Sequence, residues 1–247
     1  MRADSPSVGF AFVAQQDARA AAIVLASGSG SRVGAALNKV YLPLAGRPLL
    51  HWSLAAFAAR PEVGVVVLVA RQQDWEPAST AARAVGAELV HGGGTRQESE
   101  LNALRHLSGR IGAGEIDSVL IHDGARPLVG ADLIADVLRT TREHGGAVPG
   151  LMADDIEAVS ADGTTLAGAP TGTVVRAQTP QGFQAAELLA VYERAAADGF
   201  VGTDTASCVE RYSSLPVHWV AGDQRNFKIT YAHDLDLAER LLAAQES

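Results

Sequence analysis

An apolar run, Ala22-Ile23-Val24-Leu25-Ala26, breaks abruptly into Ser27-Gly28-Ser29-Gly30-Ser31-Arg32-Val33-Gly34, and Asn38-Lys39 follow closely. Such a run reads as a buried strand opening into a loop. The glycines let the backbone come close to a bound group with its N–H groups turned inward. Arg32 and Lys39 add positive charge that those N–H groups alone lack. Together these residues could wrap a polyphosphate, and we take the stretch as the floor of a binding site. A lone Gly-Ser loop serves equally as an ordinary tight turn between strand and helix, so further residues have to decide.

Two commoner nucleotide motifs do not fit. Gly28, Gly30 and Gly34 are spaced one residue too widely for the dinucleotide fingerprint, and no acidic ribose partner follows at about 20 residues. A P-loop needs Gly-Lys-Ser/Thr directly after the loop, whereas Lys39 comes five residues after Gly34 with Val40 behind it.

The second stretch with chemistry is Ser118-Val119-Leu120-Ile121 running into His122-Asp123-Gly124-Ala125-Arg126-Pro127. An acid at the carboxyl end of a buried strand stands where open α/β sheets place their ligands, and Asp123 is the metal candidate. Its alternative role is to cap the next helix, but that helix is expected to start later, near Ala131 or Asp132.

The elements that must carry these residues alternate. Helices are expected over Pro48–Arg60, about Trp75–Val85, from about Arg96, and over about Ala185–Asp198, with a helical stretch to Tyr212 and a final amphipathic helix through Leu235, Leu237, Ala238, Leu241 and Leu242. Strands are expected at Val63–Val69, Glu88–His91, Gly146–Leu151, Val217–Val220 and Asn226–Thr230, the last placing Lys228 between Phe227 and Ile229. Alternation of this kind implies an α/β fold on a mostly parallel sheet. Residues 153–173 differ, being polar and Gly-rich, with an Asp162-Gly163 turn between Ile156–Val159 and Thr165–Ala167. A two-stranded arm of this length cannot bury itself alone, and a partner subunit is expected to cover it.

The 247 residues, 47% of them hydrophobic, suit a single domain over residues 20–247. A net charge of −8, with 20 scattered Lys and Arg, argues against nucleic acid as a partner, so any polyanion must be held by a few placed cations. Cys208 is the single cysteine and the seven histidines show no zinc spacing, so a reducing, cytoplasmic compartment is expected. Residues 1–19 are expected to form a disordered extension, and no run approaches the roughly 18 apolar residues of a membrane span.

Six pieces in order resemble the 2-C-methyl-D-erythritol 4-phosphate cytidylyltransferase family of the sugar nucleotidyltransferase superfamily, over about residues 20–245. They are the Gly-rich loop with Arg32 and Lys39; Gly92-Gly93 with Arg96 and Ser99; His122-Asp123-Gly124-Ala125-Arg126-Pro127; Gln178-Thr179-Pro180-Gln181; Thr203-Asp204; and Phe227-Lys228-Ile229-Thr230. The resemblance implies a Rossmann-like three-layer sandwich with a protruding β-hairpin arm, a homodimer formed through that arm, and Mg²⁺-assisted transfer of CMP from CTP to a sugar-alcohol phosphate. It implies catalytic roles for Arg32, Lys39 and Lys228, and nucleotide contacts from Ala26, Ser27, Gly28, Gly30, Gly93, Ser99, Asp123 and Gly124. Asp123 would carry Mg²⁺ or another divalent cation. Arg126 and Thr179 would border the acceptor, with Asp155, Thr171 and Arg176 at the arm's acceptor positions.

The arm departs from the family pattern. Asp154-Asp155-Ile156-Glu157 stands where Asp-Thr-Ile-Lys is common, and Thr171 stands where the arm has an acceptor-binding Arg. Either Arg176 compensates or the acceptor differs, ribitol 5-phosphate being the first alternative. A catalytically silent nucleotide-binding paralogue is the other, against which the joint presence of Arg32, Lys39, Asp123 and Lys228 speaks.

Overall fold

The computed structural model describes residues 19–28 and 38–244. Gly30 and Arg32 lie outside the described residues, as do residues 1–18 of the expected extension, while Arg19 already opens the first strand. The first half of the fold runs β1 (Arg19–Leu25), a 3-10 turn (Lys39–Tyr41), a small β2 (Pro43–Leu44) and β3 (Arg47–Pro48) pair, α1 (Leu49–Ala58), β4 (Val63–Ala70), α2 (Trp75–Val85), β5 (Glu88–His91), α3 (Arg96–Gly112) and β6 (Ile116–Asp123). The second runs α4 (Ala131–His144), β7 (Gly146–Met152), the arm strands β8 (Ala158–Val159) and β9 (Leu166–Gly168), then β10 (Val175–Ala177), β11 (Gln181–Gln184), α5 (Ala185–Ala197), α6 (Thr205–Tyr212), β12 (Val217–Ala221) and α7 (Ala232–Ala243).

The apolar runs became central strands because both of their faces are covered. β1 is parallel to β4 on one side and β6 on the other, and β5 adds parallel to β4. Alternate β1 residues point to opposite faces. Ala20, Ala22 and Val24 pack with Leu50, Leu54 and Phe57 of α1 and Val137 of α4. Ala21, Ile23 and Leu25 pack with Leu104 and Leu107 of α3 and Leu188 and Val191 of α5. The result is a three-layer α/β sandwich. β11 inserts antiparallel between β6 and β7, β10 continues antiparallel along β7, and β12 pairs with β7 in parallel.

One segment carries no strand signal in its sequence and another differs from the sequence expectation. Gln181–Gln184, with no β-branched run, is nevertheless a strand, because Gly182 fits between β6 and α4: a Cβ there would lie 2.2 Å from Thr141 Oγ1 and 3.0 Å from Leu120. Asn226–Thr230, expected as a strand, belongs to none. Its backbone groups bond elsewhere: the Ile229 N–H to the Ala125 carbonyl at 2.8 Å, and the Thr230 N–H to the Asp234 carboxylate at 2.7 Å. Lys228 therefore sits on an extended loop strapped across the turn that follows β6.

Candidate active site

The register of β1 against β6 puts Leu25 beside Asp123, so the Gly-rich turn and the acidic turn leave the sheet side by side. An open cleft of about 650 Å³ lies there, lined by Ser27, Gly28, Lys39, Gly93, Asp123 and Lys228 among others. Arg71 and Arg96, given no role from the sequence, also line it. The Lys39 turn is fastened from below. Buried Asn38 caps it, accepting weakly from the Val40 N–H at 3.4 Å, and its amide donates to the Ala26 carbonyl at 2.9 Å and to Asp74 at 3.2 Å.

Asp123 is the charge centre. Its carboxylate meets Lys228 Nζ at 2.9 Å, an Arg96 guanidinium N–H, and Arg126 Nε at 3.6 Å. Burial alone would raise its pKa, but Arg96 first, then Lys228 and Arg126, overcome burial and hold the carboxyl well below the ordinary range. Arg96 in turn reaches Glu100 on α3, with Nε 2.9 Å from Oε1. Glu100, fully buried in the second turn of that helix, also accepts from Tyr192 Oη and, at 3.2 Å, from Thr205 Oγ1. The sequence signal for it was its position four residues after Arg96, easily passed over in an ordinary amphipathic helix.

Ser99 is buried and does not line the cleft. Its hydroxyl accepts the Gly93 N–H at 3.0 Å and donates to the Thr95 carbonyl at 2.8 Å, shaping the Gly93 loop from behind. Gly124 supports the floor through its N–H to the Leu25 carbonyl at 2.9 Å, and a Cβ there would come within 2.7 Å of Leu50.

Thr179 and His122 form a relay under Asp123. The Asp123 N–H donates to Thr179 Oγ1 at 3.0 Å, so that hydroxyl donates to His122 Nδ1 at 3.1 Å. His122 Nε2 then carries the proton and donates to the Arg126 carbonyl at 3.1 Å. The imidazole is thus satisfied in its neutral form, and burial lowers its pKa to about 4. Arg126 points toward the loop of Lys228, donating to the Asn226 carbonyl at 2.8 Å. The arm residues Asp155, Thr171 and Arg176 are exposed and do not line the cleft of their own chain. Arg176 lies 3.8 Å from Asp155 instead.

Among the described residues, no three His, Cys, Asp or Glu gather into a metal shell. Asp123 is the one carboxylate among the described residues lining the cleft, and Mg²⁺ there would complete its shell with substrate phosphates and water, the phosphates also offsetting the surrounding cations.

A carboxylate and a set of cations at the carboxyl ends of adjacent parallel strands, beside a Gly-rich turn, define an α/β protein of the nucleotidyltransferase class. Within that class the chain belongs to the IspD family, 2-C-methyl-D-erythritol 4-phosphate cytidylyltransferase, whose family model matches residues 20–244. It is 40% identical over 239 residues to the enzyme of that name from Geotalea uraniireducens, covering 93% of this chain and 99% of that one. The Geobacter metallireducens enzyme of the same name is 39% identical over 226 residues, covering 90% and 96%. The crystal structure of the Thermus thermophilus enzyme superposes with a TM-score of 0.70 at 32% identity, covering 90% of this chain and 98% of that one.

Proposed function

We propose that this protein transfers CMP from CTP to 2-C-methyl-D-erythritol 4-phosphate, releasing pyrophosphate. The observation that carries the reading is Asp123 ringed by Arg96, Lys228 and Arg126 on a cleft that Lys39 also lines. In the reaction an acceptor phosphate oxygen forms a bond to the α-phosphorus of CTP, and the bond from that phosphorus to the bridging oxygen breaks. The acceptor phosphate has a second pKa of about 6 and is largely dianionic at neutral pH, so no general base is required. The barrier is the meeting of two polyanions, and fixed positive charge lowers it.

Lys39, with Arg32, holds the triphosphate and the departing pyrophosphate, while Lys228 faces the α-phosphate. Asp123 holds Mg²⁺, which when bound neutralises phosphate charge. Ala26, Ser27, Gly28 and Gly124 shape the floor against the nucleotide. Gly93, whose N–H is held by Ser99, lies by the cytosine, where backbone groups read the base edge. Arg126 and Thr179 border the acceptor. The arm, carrying Asp155, Thr171 and Arg176, reaches the cleft of the second subunit of a homodimer. The chain works in the cytoplasm; no helix among the described residues is long and apolar enough to cross a membrane.

One observation bears on the acceptor and keeps a second polyol phosphate, ribitol 5-phosphate, in the comparison. The arm presents acids, and its Arg176 lies beside Asp155 rather than free for a phosphate. Pyrophosphate release with CTP and Mg²⁺ is therefore measured against both acceptors. Release with methylerythritol phosphate is the expected result; release with ribitol phosphate alone transfers the assignment, and release with neither overturns it.

A further inference from the structure

Resting on that reading, the structure assigns Glu100 a task beyond packing. We propose that Glu100 is a positioning residue that divides the charge of Arg96, and so sets how readily Asp123 leaves its ion pair for the divalent cation that arrives with CTP.

A carboxylate in the second turn of a helix with 1% exposure is costly to bury: burial pushes its pKa up, and Arg96 first, then Tyr192 and Thr205, pull the other way and favour the charged form. Glu100 is paired by three elements at once: Arg96 on its own helix, Tyr192 on α5 and Thr205 on α6. The two hydroxyls fix the carboxylate, and the carboxylate fixes the guanidinium. Arg96 thereby bridges two anions, its Nε toward Glu100 and a terminal nitrogen toward Asp123. When nucleotide and metal arrive, Asp123 must change partners, and Arg96 must turn a face toward phosphate without losing its place in the cleft wall. Glu100 supplies the anion that stays. Without its charge, Arg96 pairs with Asp123 alone and competes harder with the metal.

A double-mutant cycle on the full chain tests this. CTP binding is followed by calorimetry across a Mg²⁺ titration in the wild type, Glu100→Gln, Arg96→Gln and the double variant. Glutamine keeps the length of the side chain and an oxygen for Tyr192 and Thr205, but withdraws the charge. The Mg²⁺ concentration that half-enhances CTP binding is expected to rise about tenfold in Glu100→Gln, the scale of losing one charge from a close, largely buried ion pair. That shift is expected to vanish in the Arg96→Gln background, a coupling that a purely structural role for Glu100 would not produce. An unmoved Mg²⁺ dependence in a folded Glu100→Gln protein, or an equal shift in both backgrounds, overturns the proposal. Should Glu100→Gln fail to fold, Tyr192→Phe carries the test, since it keeps the carboxylate and removes one support: a smaller shift in the same direction is expected, and none overturns the proposal. Failure of the wild type to bind CTP overturns the functional reading along with it, whereas normal wild-type binding with unmoved variants overturns only the role of Glu100.

Discussion

His122 lies next to the key carboxylate yet is committed to structure. Its two nitrogens are used by Thr179 and the Arg126 carbonyl, and the Phe57 ring packs against it in an edge-type contact with 5.1 Å between ring centres. The unfolded chain takes up a proton on this imidazole near pH 6.5, and the folded chain only near 4. Between those values the unfolded state binds the extra proton, so stability falls as pH drops through the window and is regained above it. From pH 7.5 to 5, His122 is expected to cost the wild type about 2 kcal/mol that His122→Gln does not lose. Urea unfolding at both pH values checks this, and parallel losses in the two proteins would contradict it. Asp123 was legible at this scale because an acid after an apolar run has a recognisable place in α/β sheets. Arg126, three residues on, and Lys228 were named through the resemblance, but their convergence with Arg96 on this carboxylate was not legible, since Arg96 comes from α3 and Lys228 from a loop 105 residues downstream. Pairings across that separation leave no local periodicity.

The strands and helices that hold the cleft were readable where apolar spacing was strong. Trp75–Val85 and Glu88–His91 match the expected bounds, and α3 starts at Arg96 as expected. Pattern was silent or misleading where tertiary context overrides it. Phe227-Lys228-Ile229 alternates like a strand, but only the Ile229 N–H finds a neighbouring backbone, at Ala125. Gln181–Gln184 lacks strand composition and is made a strand by the slot between β6 and β7. Close approach at the β6 exit yields a prediction for this scale. Gly124→Ala would push its methyl into Leu50 and the Leu25 carbonyl, which is 2.9 Å from the ideal Cβ position. Overpacking of this kind costs about 1–3 kcal/mol, so a lower urea midpoint is expected together with weaker CTP binding. An unchanged midpoint would mean that β1 and β6 separate more easily than their register implies.

Over the whole molecule, two hydrophobic layers cover both faces of one sheet, while the arm stays outside them. Met152, Val159 and Leu166 are 60%, 56% and 71% exposed, a concentration of bare apolar surface at the arm and its root. Surface of this kind points to a protein partner, and under the proposed function that partner is a second copy. Sedimentation velocity is expected to find a dimer, and Leu166→Glu to shift it toward monomer; a wild-type monomer at micromolar concentration would contradict the arm's assignment. Acceptor choice was the least legible property in the sequence, because under the proposed function Asp155, Thr171 and Arg176 act only where two chains meet.

The central claim is that the cleft at the ends of β1 and β6 uses fixed cations to transfer CMP. Its most direct test is the turnover of Lys39→Ala in CTP-dependent pyrophosphate release, read beside its melting temperature. Removing a preorganised charge from a developing phosphate charge is expected to lower kcat by about 10²–10³. Folding should be undisturbed, since Asn38, which holds this turn to β1, is kept. Wild-type turnover in a folded Lys39→Ala protein would contradict the account and move the chemistry elsewhere.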